Sequence, residues 1–255
     1  MLPAPDLRDA FVAYPVPTER DLFAELAASA ALEELGRGRR GTTLTEVDAA
    51  GRVPLVRTTT RYRHPAQRFR PVHDELAQRI QTLAGLPVAF DNALLEIYTN
   101  DYATMGSHCD QALDLADESF IAVFSCYREP VAMPPRKLVV APKGSGETVE
   151  IPLAHHSAVV FTVATNRLLE HKIVLDAPAG AAPNEWLGVT FRTSKTHLRF
   201  HDGPPYLPGG ERLTVADEEQ RQEFYRLRRR ENKETDFTYP PLTYTVSDSD
   251  LLPPR

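Results

Sequence analysis

His108 and Asp110 are separated by one residue, and His171 follows far downstream in Leu169-Glu170-His171-Lys172. Two imidazoles and a carboxylate are the donor set of non-haem Fe(II) sites that keep coordination positions open. In an extended segment, residues two apart face the same side, so His108 and Asp110 can take adjacent corners of one metal ion while a distant strand supplies His171. His-x-Asp alone is a common tripeptide, and a surface turn in which Asp110 bonds local amides is the plain alternative. A second cluster lies in Trp186-Leu187-Gly188-Val189-Thr190-Phe191-Arg192, an apolar alternating strand that ends on an arginine. Thr190 and Arg192 share a face there, and a hydroxyl with a guanidinium can hold a carboxylate, the guanidinium through two parallel bonds. A structural ion pair between Arg192 and a neighbouring acid is the competing role.

Taken in order, Leu94-Leu95-Glu96-Ile97-Tyr98, His108-Cys109-Asp110, Ala158-Val159-Val160-Phe161, Asn166-Arg167-Leu168-Leu169-Glu170-His171 and Val189-Thr190-Phe191-Arg192 form a set. This set resembles the AlkB-like branch of the Fe(II)/2-oxoglutarate dioxygenases over roughly residues 86 to 195. The resemblance implies that His108, Asp110 and His171 bind iron, that Tyr98 touches 2-oxoglutarate and that Arg192 pairs with one of its carboxylates. Arg167 matches a recurrent arginine of the family. Fe(II) as cofactor, 2-oxoglutarate and dioxygen as co-substrates, and hydroxylation of a C–H bond follow from the same resemblance. Three positions depart from the pattern. Trp186 and Gly188 stand where the family commonly has an arginine and an asparagine, and Glu96 stands where it has an asparagine. An inward-facing Glu96 would repel an anionic co-substrate, so either it faces away or that wall is rebuilt.

These residues need a scaffold, and composition permits one. The chain has 255 residues, 42% hydrophobic and 25% charged, with a formal charge of −6. That is a soluble globular composition able to bury a sizeable core. Two cysteines, Cys109 and Cys126, cannot make a disulfide framework, and no secretory signal pattern opens the chain, so a cytoplasmic enzyme without a membrane segment is expected. The net negative charge weighs against a general nucleic-acid binder.

Apolar periodicity predicts a helix from Thr18 to Leu35, capped by Thr18 and stopped by Gly36, and a second over Val72 to Ala84. Strands are expected at 93–98, 120–126, 137–140, 147–153, 158–163, 172–175 and 186–191, with a hairpin loop at Pro142-Lys143-Gly144-Ser145-Gly146. A charged helix should run over Val215 to Asn232, capped by Thr214. Residues 1–17 should run over the surface, and the proline-rich tail from Asp236 should be extended or disordered. The expected fold is α+β, mainly β with flanking helices. The resemblance makes its core a double-stranded β-helix, or jelly roll, within a single domain: elements for substrate recognition over 1–85, the core over 86–200, helix and tail over 201–255.

Substrate identity is the least legible part. Arg52, Arg57, Arg61, Arg63, Arg68 and Arg70 fall in a tract free of Asp and Glu. It is either a face neutralised by acids from elsewhere or a grip on an anionic group. A small anionic molecule is the preferred substrate. The alternatives are an AlkB-type oxidative dealkylase of nucleic acid and a cupin-like metal-binding protein that does not use 2-oxoglutarate. His155 and His156 point opposite ways on a strand and read as a hairpin feature. Cys109 should point away from the metal, Cys126 and Trp186 should pack in the core, and His197 and His201 should be exposed. Oligomeric state is left open.

Overall fold

The computed structural model describes residues 7–131, 135–144, 147–177 and 181–255. Ser145 and Gly146 of the expected hairpin loop lie outside the described residues. The strands are β1 (Val12–Pro15), β2 (Glu33–Gly36), β3 (Arg39–Thr45), β4 (Val53–Leu55), β5 (Gln67–Arg68), β6 (Asn92–Thr99) and β7 (Phe120–Tyr127). They continue with β8 (Lys137–Pro142), β9 (Val149–Pro152), β10 (Ser157–Thr162), β11 (Leu169–Val174), β12 (Glu185–Arg192) and β13 (Thr196–Phe200). The helices are α1 (Leu7–Ala10), α2 (Leu22–Ser29), α3 (Pro71–Ala84), α4 (Val163–Leu168) and α5 (Glu218–Glu231).

An eight-stranded sheet in the order β1-β10-β7-β12-β6-β3-β2, with β5 beside β3, faces a three-stranded sheet in the order β11-β8-β9. Helices cover the outer face of the large sheet. The fold is an α+β jelly roll. Strand parity divides its core in two. Leu95, Ile97, Phe124, Leu187 and Val189 pack outward against Leu22, Leu26, Leu76 and Ile80 of α2 and α3. Tyr98, Ile121, Val123 and Trp186 face inward and meet Leu138, Val140, Leu169 and Ile173 of the small sheet. Both faces of the large sheet are therefore covered, which is why its strands read as nearly continuous apolar runs.

Four expectations are corrected. The first long helix is only α2, because Asp21 rather than Thr18 caps it, its side chain accepting from Ala24 N at 3.0 Å, and Ala30 is already extended. Leu32 and Leu35, which continued the helical spacing, belong to β2 and its approach. Residues 12–15 do not merely cover the surface: β1 pairs antiparallel with β10, and Phe11 and Val16 are buried. The proline-rich tail is also ordered. Leu242, Tyr244 and Val246 are buried against Phe224 and Leu227 of α5, and Thr214–Val215 pairs with Tyr244–Thr245. That pairing takes residues 214 and 215 out of the expected helix, leaving Asp217 as the cap of α5. Among the described residues no helix is long and apolar enough to cross a membrane.

Candidate metal centre and its cavity

His108 and His171 are directly opposed residues of an antiparallel bridge, exchanging N–H···O bonds of 3.0 and 2.7 Å. Thr104 and Val174 form a second bridge of the same sense, so residues 104–108 run along β11 as a further edge of the small sheet. Opposed residues point to one side. That register places the two imidazoles 4.8 Å apart between ring centroids. Asp110, two residues on, turns its Oδ1 toward them, at 3.9 Å from His108 Nε2 and 3.5 Å from His171 Nε2. One donor atom from each of the three lies within 4.8 Å of the others.

His108 Nδ1 lies 2.9 Å from Gly106 O. Donation to that carbonyl fixes the tautomer and leaves the Nε2 lone pair facing the carboxylate. Desolvation in the cavity wall, with His171 beside it, pushes the His108 imidazole down to about 4, so it is neutral and able to ligate at physiological pH. Burial works against ionisation of Asp110, but the Arg192 guanidinium, with His171 beside it, outweighs it and holds the carboxyl well below its ordinary range. Two electron-rich atoms thus face each other without a bond, an arrangement that a divalent cation resolves. Donor types and spacing both fit Fe(II).

Arg192 Nε donates to Asp110 Oδ2 at 2.7 Å, and Nη2 forms an ion-pair contact with the same oxygen at 2.6 Å. The ion-pair role left open by the sequence is therefore realised, and its partner is the proposed metal ligand itself. Asn166 brackets the backbone of Asp110, accepting from its N–H and donating to its carbonyl at 2.8 Å each.

The trio opens into a cavity of about 490 Å³ between the sheets, lined also by Tyr98, Thr190, Arg192, Trp186, Leu138 and Ile173. All six residues singled out by sequence, His108, Asp110, His171, Tyr98, Thr190 and Arg192, meet there. The wall away from the trio departs in a connected way from the pattern that the resemblance implies. Register aligns Trp186, Tyr98 and Arg39 across β12, β6 and β3, and Gly188, Glu96 and Gly41 in the next row. A Cβ at Gly188 would lie 2.0 Å from the Trp186 ring, so the indole folds over this glycine and packs on Tyr98 at 4.9 Å. Glu96 does face inward. Arg39 Nε donates to its Oε1 at 2.7 Å and Tyr98 Oη to its Oε2 at 2.6 Å, so the carboxylate is neutralised and the wall is rebuilt. Burial, with Glu96 alongside, raises the Tyr98 phenol well above its usual range.

Sequence reasoning missed Arg39, because strand pairing rather than proximity in sequence delivers it. It also missed Gln111, which lines the cavity with both amide atoms unbonded among the described residues. The α5 face missed as well comprises Tyr225, Arg228, Arg229 and Asn232, whose helical spacing puts one stripe on the cavity.

The arginine tract scatters. Arg52 pairs with Asp48 on the surface. Arg57, 4% exposed, is locked to Asp114 and donates to the carbonyls of Leu242 and Tyr244. Arg61 and Arg63 line an open groove that shares Arg39 and Thr60 with the main cavity. Arg167 pairs with Asp117 away from the trio. His155 and His156 do not point apart as strand geometry predicts, because they lie in the turn before β10, where their rings pack together at 3.8 Å with a 30° tilt. Cys109 and Cys126 are buried free thiols, and Cys109 Sγ points to Asn232 rather than to the trio. His201 is exposed, whereas His197 is partly covered, 3.5 Å from Asp91.

No family model matches the chain, and no curated protein matches it in sequence. Among solved structures, OsALKBH1 aligns with a TM-score of 0.51 at 13% identity, covering 74% of this chain and 98% of that one. The two chains share a fold. A prolyl-4-hydroxylase of Pseudomonas putida (TM-score 0.41, 15% identity, 72% and 92% covered) and an oxidoreductase of the 2OG-Fe(II) oxygenase family from Burkholderia pseudomallei (0.45, 15%, 72% and 84%) align more loosely.

Proposed function

We propose that this protein is a non-haem Fe(II) dioxygenase that uses 2-oxoglutarate and dioxygen to hydroxylate a C–H bond of a small anionic molecule. The observation that carries the reading is the convergence of His108 Nε2, Asp110 Oδ1 and His171 Nε2 in a cavity between the sheets of a jelly roll. Three protein ligands on one side would leave the ion's other coordination positions to small molecules. When bound, Fe(II) with 2-oxoglutarate supplies the oxidising chemistry that no side chain here possesses.

The chain's own contribution is positioning. His108, Asp110 and His171 hold the ion. Arg192 engages only Oδ2 of Asp110, leaving Oδ1 to ligate. Its guanidinium and the Thr190 hydroxyl are the groups toward which a carboxylate of the co-substrate is drawn. Trp186, Tyr102, Met105, Leu138 and Ile173 exclude water. Of the five arginines lining the cavity, Arg39, Arg57, Arg192 and Arg228 are paired with carboxylates, whereas Arg229 makes no ion pair among the described residues. Arg229 is the proposed grip on the substrate's anionic group, with Gln111 offering a neutral donor and acceptor beside the metal.

A second reading, oxidative dealkylation of nucleic acid, is favoured by one feature: exposed Arg61 and Arg63 in the groove continuous with the cavity. The test is anaerobic loading with Fe(II) and then 2-oxoglutarate, watching for the visible absorption of the chelate. Air is then admitted and succinate is measured with small organic acids or with alkylated oligonucleotides. Chelation followed by acid-stimulated succinate is the expected result. Metal binding without chelation would instead identify a metal-binding jelly roll that does not use 2-oxoglutarate. Stimulation by oligonucleotides with a steep salt dependence would select the dealkylase.

A further inference from the structure

We infer that the last turn of α5 is a clasp that positions the metal ligands, with Asn232, Arg228 and Glu231 acting through the backbone of residues 109–112; this rests on the reading that His108, Asp110 and His171 hold a metal. Beyond His108 the ligand-bearing segment leaves the sheet, and side chains satisfy its backbone instead. Cys109 N–H donates to Asn232 Oδ1 at 3.1 Å, and Arg228 Nη2 donates to Cys109 O at 2.9 Å. Ala112 N–H donates to Glu231 Oε1 at 2.8 Å. Asp110 sits between these anchors, its own peptide groups held by Asn166.

The clasp is itself braced. Glu231 Oε2 receives Arg228 and the Tyr239 hydroxyl, the latter at 2.6 Å, while Lys143 Nζ donates to Glu231 O at 2.5 Å. Arg228 and Glu231 are 7% and 3% exposed. A buried ion pair is a poor source of stability but an effective way to fix a geometry. Here its free valences go to the two peptides that flank a metal ligand. Groups that orient ligands from outside the coordination sphere typically change metal affinity by about 10–100-fold when removed.

Asn232 is the position to test, because it terminates the helix and is only partly buried, so its removal should not unfold the chain. Full-length metal-free protein is titrated with Co(II) and, anaerobically, with Fe(II), following the Co(II) visible bands and the fluorescence of Trp186, the one tryptophan, which lines the cavity. The melting temperature of the metal-free form is measured in parallel. Asn232→Ala is expected to weaken metal binding about tenfold or more and to alter the Co(II) bands, with the metal-free melting temperature lowered by no more than about 4 °C. Asn232→Asp, which keeps the acceptor oxygen, should restore most of the affinity. A metal affinity within about twofold of wild type in Asn232→Ala, whether or not stability falls, would overturn the inference, as would equal losses in Asn232→Ala and Asn232→Asp. If wild-type protein binds no Co(II) or Fe(II), the metal reading itself fails, a result distinct from unequal variants on a metal-binding wild type.

Discussion

The corner formed by His108, Asp110 and His171 and the wall formed by Arg39, Glu96 and Tyr98 are both built from converging charged and polar side chains, yet they differ in whether those groups satisfy one another. In the corner, His108, Asp110 and His171 converge at 3.5 and 3.9 Å, too far apart for good hydrogen bonds, and His171 Nδ1 is buried with no partner among the described residues. In the wall, Arg39, Glu96 and Tyr98 are bonded to one another at 2.6 and 2.7 Å. An open set is prepared for something external, whereas a closed set is scaffold. Arg57, closed onto Asp114 and two carbonyls, is a second scaffold set although it too lines the cavity.

The comparison is broken most directly at His171. His171→Ala should abolish measurable Fe(II) binding and all turnover, while the melting temperature of the metal-free protein changes by only a few degrees, because an open set contributes little to the fold. Retained iron affinity and turnover would show that the corner is not a metal site.

Next in size is Arg57→Gln. It leaves Asp114, 1% exposed, as an uncompensated buried charge and frees two tail carbonyls. A loss of roughly 3–5 kcal/mol is expected by urea unfolding, with metal affinity little changed in whatever folds. A cost under about 1 kcal/mol, or a selective loss of substrate binding, would return Arg57 to a recognition role. Gln at Arg61 and Arg63 is the contrast: exposed and without an ion pair among the described residues, they should leave stability within about 0.5 kcal/mol.

Glu96→Gln should cost less, about 1–3 kcal/mol, since Arg39 keeps a neutral acceptor and part of its solvent exposure. Thermal melting should fall by roughly 2–4 °C per kcal/mol, with Fe(II) affinity within a few-fold of wild type. A large drop in metal affinity with no change in melting would mean that the wall and the corner are one unit.

What could be read from sequence follows the same division. The open set was legible only in company: His-x-Asp alone is a common tripeptide, and it was strand parity together with the ordered set running from Leu94 to Arg192 that singled out His108, Asp110 and His171. Closed sets were not legible, since their partners come from pairing that no local pattern encodes: Arg39 reaches Glu96 through β3 and β6, and Arg57 reaches Asp114 and the tail. The tail was misread for a related reason. Its prolines signal an extended chain, but the alternation of Leu242, Tyr244 and Val246, buried against α5, is what orders it. In the first helix, Leu32 and Leu35 matched the helical period while belonging to an edge strand, because apolar spacing over so few residues does not separate the two.

Tyr98→Phe carries the smallest expected effect and discriminates most finely. The resemblance assigns Tyr98 to 2-oxoglutarate, whereas its hydroxyl here is spent on Glu96 and its ring lies between Trp186 and Tyr102. Removing the hydroxyl deletes one hydrogen bond to a charged acceptor that retains Arg39, so a destabilisation of about 1–2 kcal/mol is expected. If the wall is closed scaffold, the 2-oxoglutarate concentration giving half-maximal turnover should change less than about threefold, since the ring still fills its space. An increase of tenfold or more, at unchanged Fe(II) affinity, would require the phenol to leave Glu96 and meet the co-substrate. The wall would then be a latch that opens on binding, and Arg39, released with it, would become the cation available to the co-substrate's second carboxylate.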